Sequence, residues 1–162
     1  MRLISLQSGS NGNCVYVEVG QEKLLFDAGI SGKAAMSRLA GHGRDIRNVT
    51  ALLISHDHRD HIASMGIFQR KFSLDTAVSG KTLAAARQRC DLGPLAPMHE
   101  FTVGDPVMIG RVRVETIPTP HDGVDGCGFV VDDGSKRLGI LTELGHVFDG
   151  LTDVLATLDA VF

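Results

Sequence analysis

The stretch "LISHDHRDHI", Leu53–Ile62, packs three histidines and two aspartates into the six residues His56–His61, straight after an apolar run. The whole chain holds only seven histidines, so one short turn carries much of its titratable chemistry. Neutral imidazole and carboxylate are good ligands for zinc and similar divalent ions. An extended or turning backbone projects His56 and His58 to one side, and Asp60 and His61 follow where the chain turns into a helix. One pair can hold one ion and the other pair a neighbour, because paired ions sit about 3.5–4 Å apart. The plain alternative is a solvated polar loop, and the concentration of histidines argues against it.

Four ligands are too few for two ions, so others must come from distant segments. "IPTPHDG", Ile117–Gly123, offers His121 directly after the strand-like "VRVETIP", and its prolines stiffen the approach. "GILTELGH", Gly139–His146, offers Glu143 at the end of another apolar run. Strand-end loops are where sites tend to lie.

The rest of the chain supplies a scaffold for such loops. Short β-type runs, "RLISL", "CVYVEV" and "KLLFDAG", are separated by Gly, Ser and Asn clusters. "GKAAMSRLAG" predicts a helix with Gly41 as its C-cap. "VTALLIS", Val49–Ser55, is a continuous apolar run of strand length and predicts a buried central strand. "HIASMGIFQRKF" predicts one helix from His61 to Phe72. "DTAVSG" predicts a short strand and "GKTLAAARQRC" a helix. "DPVMIGRVRVETIP" predicts two strands about a Gly turn. "GCGFVVDDGSKRLGILTE" predicts a hairpin turning at "DDGS". "FDGLTDVLATL" predicts a short helix, and "DAVF" the start of a strand.

Composition sets the outer limits. A chain of 162 residues with 43% hydrophobic content suits one domain with a sizeable core. It contains no apolar run long enough to cross a bilayer and no evident signal sequence, so a cytoplasmic location without a membrane partner is expected. Three cysteines, Cys14, Cys90 and Cys127, are an odd number without paired spacing and suggest reduced thiols. A net charge of −3 gives no global basic field for nucleic acid, although a local patch remains open.

Taken together, the motifs resemble those of the metallo-β-lactamase-fold hydrolases. "SHDHRDH" matches that superfamily's His-x-His-x-Asp-His signature. "LLFDAG" resembles its first motif, with Asp27; "IPTPH" its third, with His121; and "LTELG" its fourth, with Glu143 where the family has Asp. The opening "SLQSGSNGNCVYVE", Ser5–Glu18, resembles the bacterial YycJ (WalJ)-type members, which are regarded as DNA exonucleases. The resemblance covers nearly the whole chain and keeps motif order.

It implies an αββα sandwich (α/β, or α+β, in class) with the site at one edge between two sheets. It further implies two divalent ions, zinc first and manganese or iron next. His56, His58 and His121 would hold one ion, Asp60 and His61 the other, and Glu143 would bridge them. Asp60 would also help orient the nucleophile, a water activated by the metals. Asp27 would stand behind the ligands and orient one through a hydrogen bond. The extra methylene of Glu143 raises the question of whether it reaches both ions. A fifth motif, a later histidine, is absent, and His146 matches no family position. With "LDAVF" breaking off in strand character, residues 1–162 are expected to be the N-terminal portion of a longer metallo-β-lactamase-like domain whose C-terminal part is missing. A homodimer through an exposed sheet edge is then expected.

The reaction class is hydrolysis of a phosphodiester, thioester or β-lactam, and the YycJ-like opening favours phosphodiesters, with DNA as substrate. Ser8–Asn13 either supplies donors beside the site or is an ordinary glycine-rich connection. Arg59 either meets a phosphate or faces solvent. Two rivals stand beside this reading: a small-molecule hydrolase such as a glyoxalase-like thioesterase, and a degenerate metal-binding interaction domain.

Overall fold

The computed structural model describes residues 1–162. Strands β1 (Arg2–Gln7), β2 (Cys14–Val19) and β3 (Glu22–Phe26) form an antiparallel meander. Beside β3 lie β4 (Ala51–Leu53), β5 (Thr76–Ser79) and β6 (His99–Phe101), each parallel to the strand before it. Parallel pairs need crossovers. Helix α1 (Gly32–Gly41) links β3 to β4, α2 (Arg59–Ile62) and α3 (Met65–Phe72) link β4 to β5, and α4 (Gly80–Arg89) links β5 to β6. The second sheet is an antiparallel series of β7 (Val107–Ile109), β8 (Val112–Pro118), β9 (Cys127–Asp132) and β10 (Arg137–Ile140). After α5 (Leu151–Ala156), β11 (Ala160–Val161) joins β10 in parallel at the end of this sheet.

Period-two alternation sorts the first sheet's side chains into two cores. Tyr16, Leu25, Leu52 and Val78 face the helices and pack with Ala35, Leu39, Phe68, Phe72 and Leu83. Val15, Val17, Leu24, Phe26 and Leu53 face the other way and meet Val112, Val114, Phe129, Val131 and Ile140 of the second sheet. Phe26 and Phe129 join the sheets with ring centroids 5.1 Å apart. Burial on both faces explains the unbroken apolar run around β4. The expected mixed α/β sandwich of two sheets is what the chain forms.

Three local expectations change. The single helix over 61–72 is two pieces, because its hydrogen bonds are diverted to the loop that carries Asp27. The His61 carbonyl accepts from Ala28 N at 2.7 Å, and Ser64 N donates to the Ala28 carbonyl at 2.8 Å. Helix α1 is capped by His42, not Gly41. Gly43 is the left-handed residue, with φ 69°, and Gly43 N and Arg44 N close on Ala40 O and Leu39 O in a Schellman turn. Strand β6 carries no sequence signal, because an exposed edge strand shows no apolar alternation.

Candidate metal centre

Topology alone brings the motifs together. β3 and β4 run parallel, so Asp27 and the His56–His61 turn leave the first sheet at the same edge. β2 runs against β3, so its entrance, Asn13, lies there too. β8 and β10 both run against β9, so their exits, leading to His121 and Glu143, share one edge of the second sheet.

Two groups of potential ligands form there. The first is His56, His58, His121 and Glu143; the second is Asp60, His61 and Glu143; within each group the ligand atoms lie within 4.8 Å of one another. Glu143 belongs to both. Its Oε1 is 3.2 Å from His61 Nε2, its Oε2 is 3.7 Å from His56 Nε2, and the same Oε2 meets His121 Nε2. All six side chains singled out in the sequence are therefore within reach of one centre. His146 is exposed and outside both groups.

Asp27 organises the centre from below. It adopts φ 64°, which Asp tolerates better than most side chains. Its carboxylate accepts from Ser55 N and Ser55 Oγ at 2.9 Å and lies 2.7 Å from His61 Nδ1. That contact keeps a proton on Nδ1 and turns His61 Nε2 towards Glu143 and Asp60. Burial alone would disfavour charge on His61, yet the Asp27 carboxylate beside it pushes the imidazole pKa up to about 9. His56 moves the opposite way. Burial, reinforced by His61, pushes it down to about 4, so it stays neutral with a lone pair free. Its Nδ1 contacts Ser55 Oγ at 2.9 Å, while its buried Nε2 has no hydrogen-bond partner. An orphaned buried nitrogen facing imidazoles and a carboxylate is what a metal ligand looks like without its metal. Nitrogen and oxygen donors of this kind fit a divalent ion of the zinc, manganese or iron type.

Four further residues shape the centre; only Asn13 lies in a stretch, Ser8–Asn13, for which the sequence offers donors beside the site, and the other three are not singled out by the sequence pattern. Buried Asn13 donates through Nδ2 to Asp60 Oδ2 at 3.2 Å, lies 2.9 Å from His61 Nε2, and accepts from Gly9 N at 2.9 Å. Ser55 joins Asp27 to His56. Asp57, fully buried, accepts from Val124 N at 2.7 Å and meets the Arg89 guanidinium, which ties the His121 loop to α4. Asp122 lies 3.4 Å from His58 Nε2, leaving His58 Nδ1 on the side of His121 Nε2, 3.2 Å away. The only sequence signals for these four were their positions inside or beside the motifs. The three cysteines are free, and burial raises the pKa of Cys14 and Cys127.

Comparison with known proteins agrees with the geometry. The chain is 33% identical over 150 residues to exodeoxyribonuclease YycJ of Bacillus anthracis, a match covering 93% of this chain and 57% of the relative. It is 35% identical over 158 residues to exodeoxyribonuclease WalJ of Streptococcus pneumoniae, covering 95% and 58%. The chain thus spans less than three fifths of the length of these curated relatives. In three dimensions it is similar to the metallo-beta-lactamase fold protein YhfI from Bacillus subtilis, with TM-score 0.77 and 18% identity over 98% of this chain and 69% of that one. Residues 8–141 match the model of the metallo-beta-lactamase superfamily, and with the sandwich and the six clustered side chains in place, the chain belongs to that superfamily.

Proposed function

We propose that this protein is a metal-dependent hydrolase of phosphodiesters, acting on DNA as an exonuclease. One observation carries the metal-dependent part: six imidazole and carboxylate side chains converge from separate strand ends, with Glu143 common to two groups. The DNA part is supported by relatives named as exodeoxyribonucleases at 33% and 35% identity.

In this reading His56, His58, His121 and Glu143 hold one divalent ion, and Asp60, His61 and Glu143 the other, with zinc the first choice and manganese or iron alternatives. Such a pair supplies Lewis acidity to a phosphoryl oxygen and acidifies a water for attack near neutral pH. The protein's own work is orientation. Asp27 holds the His61 ring by its Nδ1–H, and Ser55 holds His56 by Nδ1. Asn13 pins one oxygen of Asp60, so that this carboxylate is fixed where it can help orient the nucleophile. Asp57 sets the height of the His121 loop through Val124.

No helix is long and apolar enough to cross a membrane, and a DNA substrate goes with a cytoplasmic location. Residues 1–162 share one inter-sheet core and are read as part of a longer metallo-β-lactamase-like domain, in keeping with the 57% and 58% of the relatives that they span. A homodimer through an exposed sheet edge remains part of this proposal.

The test loads the protein with Zn²⁺ or Mn²⁺ and supplies end-labelled single- and double-stranded DNA. Expected are stepwise shortening of the DNA, loss of activity in chelator and loss in Asp60→Ala. Turnover of a thioester without DNA cleavage would replace the nuclease with a small-molecule hydrolase. Both metals bound without any turnover would leave a metal-binding interaction domain.

A further inference from the structure

A shallow depression opens directly beside the second ligand group, lined by Ser10, Asn11, Gly29, Arg59, Asp60 and Ala63. Its two walls are the Ser8–Asn13 loop and the first turn of α2. Asn13 locks them together. Its backbone N donates to the Asp60 carbonyl at 2.7 Å, its Nδ2 to Asp60 Oδ2 at 3.2 Å, and its Oδ1 accepts from Gly9 N at 2.9 Å. The loop is therefore fixed relative to the metal ligands rather than free.

The donors in this depression are unused. Arg59 is exposed and pairs with no carboxylate. The Ser10 hydroxyl and the backbone N–H groups of Ser10 and Asn11 make no hydrogen bond within the protein. A guanidinium, a hydroxyl and free amides together suit a phosphate oxygen. The one acid present, Asp60, has Oδ2 engaged by Asn13 and belongs to the second ligand group. Asp60 thus belongs to the second ligand group and also lines the depression, so the two adjoin.

We infer that this depression is a subsite for the phosphate next to the scissile one in a nucleic-acid strand, with Arg59 as its cation and Ser10 as a neutral donor. The inference rests on the phosphodiesterase reading and deepens it: the protein would recognise a polymer of phosphates and not a lone phosphodiester. Such a subsite would let a chain of net charge −3 bind a strand, because the cation needed is local.

The experiment uses metal-loaded protein and fluorescein-labelled single-stranded DNA of about ten nucleotides, with binding followed by anisotropy across a salt series. Arg59→Gln is expected to weaken binding about fivefold to tenfold and to flatten the plot of log K against log salt by about 0.7, the value of one lost single-strand phosphate contact. Arg59→Lys should recover part of the affinity and all of the slope. A second strand carries a neutral methylphosphonate at the linkage next to the scissile one. The unsubstituted protein should bind it about fivefold to tenfold more weakly, and Arg59→Gln should show less than a twofold further loss. An Arg59→Gln protein with unchanged affinity and slope overturns the subsite, as does equal sensitivity of both proteins to the methylphosphonate. Hydrolysis of bis(p-nitrophenyl) phosphate, which has no neighbouring phosphate, is measured on the unsubstituted protein as a separate arm. Turnover there without strand binding sinks the subsite and leaves the phosphodiesterase reading standing. Neither turnover nor strand binding, with metal present by elemental analysis, sinks both.

Discussion

Gly29→Ala should damage the metal centre through backbone contact alone. A Cβ at Gly29 would lie 1.6 Å from the Asp60 carbonyl oxygen and 2.6 Å from Asn13 N. Ordinary contact begins near 3.4 Å, so the chains must part by about 1.8 Å. Three backbone hydrogen bonds stitch this crossing: Asn13 N to Asp60 O at 2.7 Å, Gly29 N to Asn13 O at 2.9 Å, and Ala28 N to His61 O at 2.7 Å. None survives such a shift. At about 1 kcal/mol each, the loss is about 3 kcal/mol. For a domain of this size that lowers Tm by about 6–12 °C. The displaced atoms belong to Asp60 and Asn13, so the second ligand group should lose its ion while His56, His58 and His121 keep theirs. The assay is thermal unfolding by circular dichroism with metal content by elemental analysis. Gly41→Ala is the control: a Cβ there meets nothing within 4 Å, and alanine in a helix should raise stability by about 0.5–1 kcal/mol. A Gly29→Ala protein with unchanged Tm and full metal content would refute the reasoning.

Asp27→Asn keeps shape but removes the charge that holds His61, and should weaken the second ion about 10–100-fold in a chelator competition, while unchanged affinity would mean His61 orients itself. Asp57→Ala strands the Val124 N–H and the Arg89 charge, and should cost about 2–3 kcal/mol in urea unfolding; Asp57→Asn, which keeps an acceptor, should recover part of it. Glu18 is held at about 2 by its hydrogen bonds to Arg44, against an ordinary 4.5. Because the folded value is the lower one, its stabilisation is complete above pH 4.5 and is lost as pH falls towards 2, so Glu18→Gln should flatten the stability profile of the protein in that window.

Much of this was legible in the sequence because the chemistry is local there. His56, His58, Asp60 and His61 fall in one turn, and the strand-end positions of His121 and Glu143 follow from hydrophobic runs that the fold also uses. The helix α1 boundaries and the hairpin of β9 and β10 were equally plain, since alternation and turn residues decide them. Apart from the α1 cap at His42 and the exposed edge strand β6, what escaped depended on long-range contact. The break between α2 and α3 arises because the Ala28 backbone takes hydrogen bonds that a continuous helix would use. Asn13 reaches Asp60 across 47 residues, and Asp57 reaches Val124 across 67. No periodicity or local propensity encodes such pairings; only the parallel run of β3 and β4 and the facing of the two sheets create them.

Glu143 poses a question of reach that the same geometry answers. An aspartate at this point would be shorter by one methylene, about 1.5 Å. Strand β10 ends at Ile140, so Glu143 departs from a loop beyond the strand, and the longer side chain makes up the distance. With that length, Oε1 stands 3.2 Å from His61 Nε2 and Oε2 lies against His121 and 3.7 Å from His56. The two oxygens thus divide between the two groups. Glu143→Asp should draw the carboxylate back from one of them and leave the protein with about one tightly held ion. Glu143→Gln keeps the reach but halves the acceptor capacity and removes the charge, so both ions should weaken together. Titration with Zn²⁺ in competition with a chromogenic chelator resolves the two patterns. If the aspartate variant holds both ions as tightly as the unsubstituted protein, side-chain length is not what joins the two groups, and the loop after Ile140 must be free to move towards them.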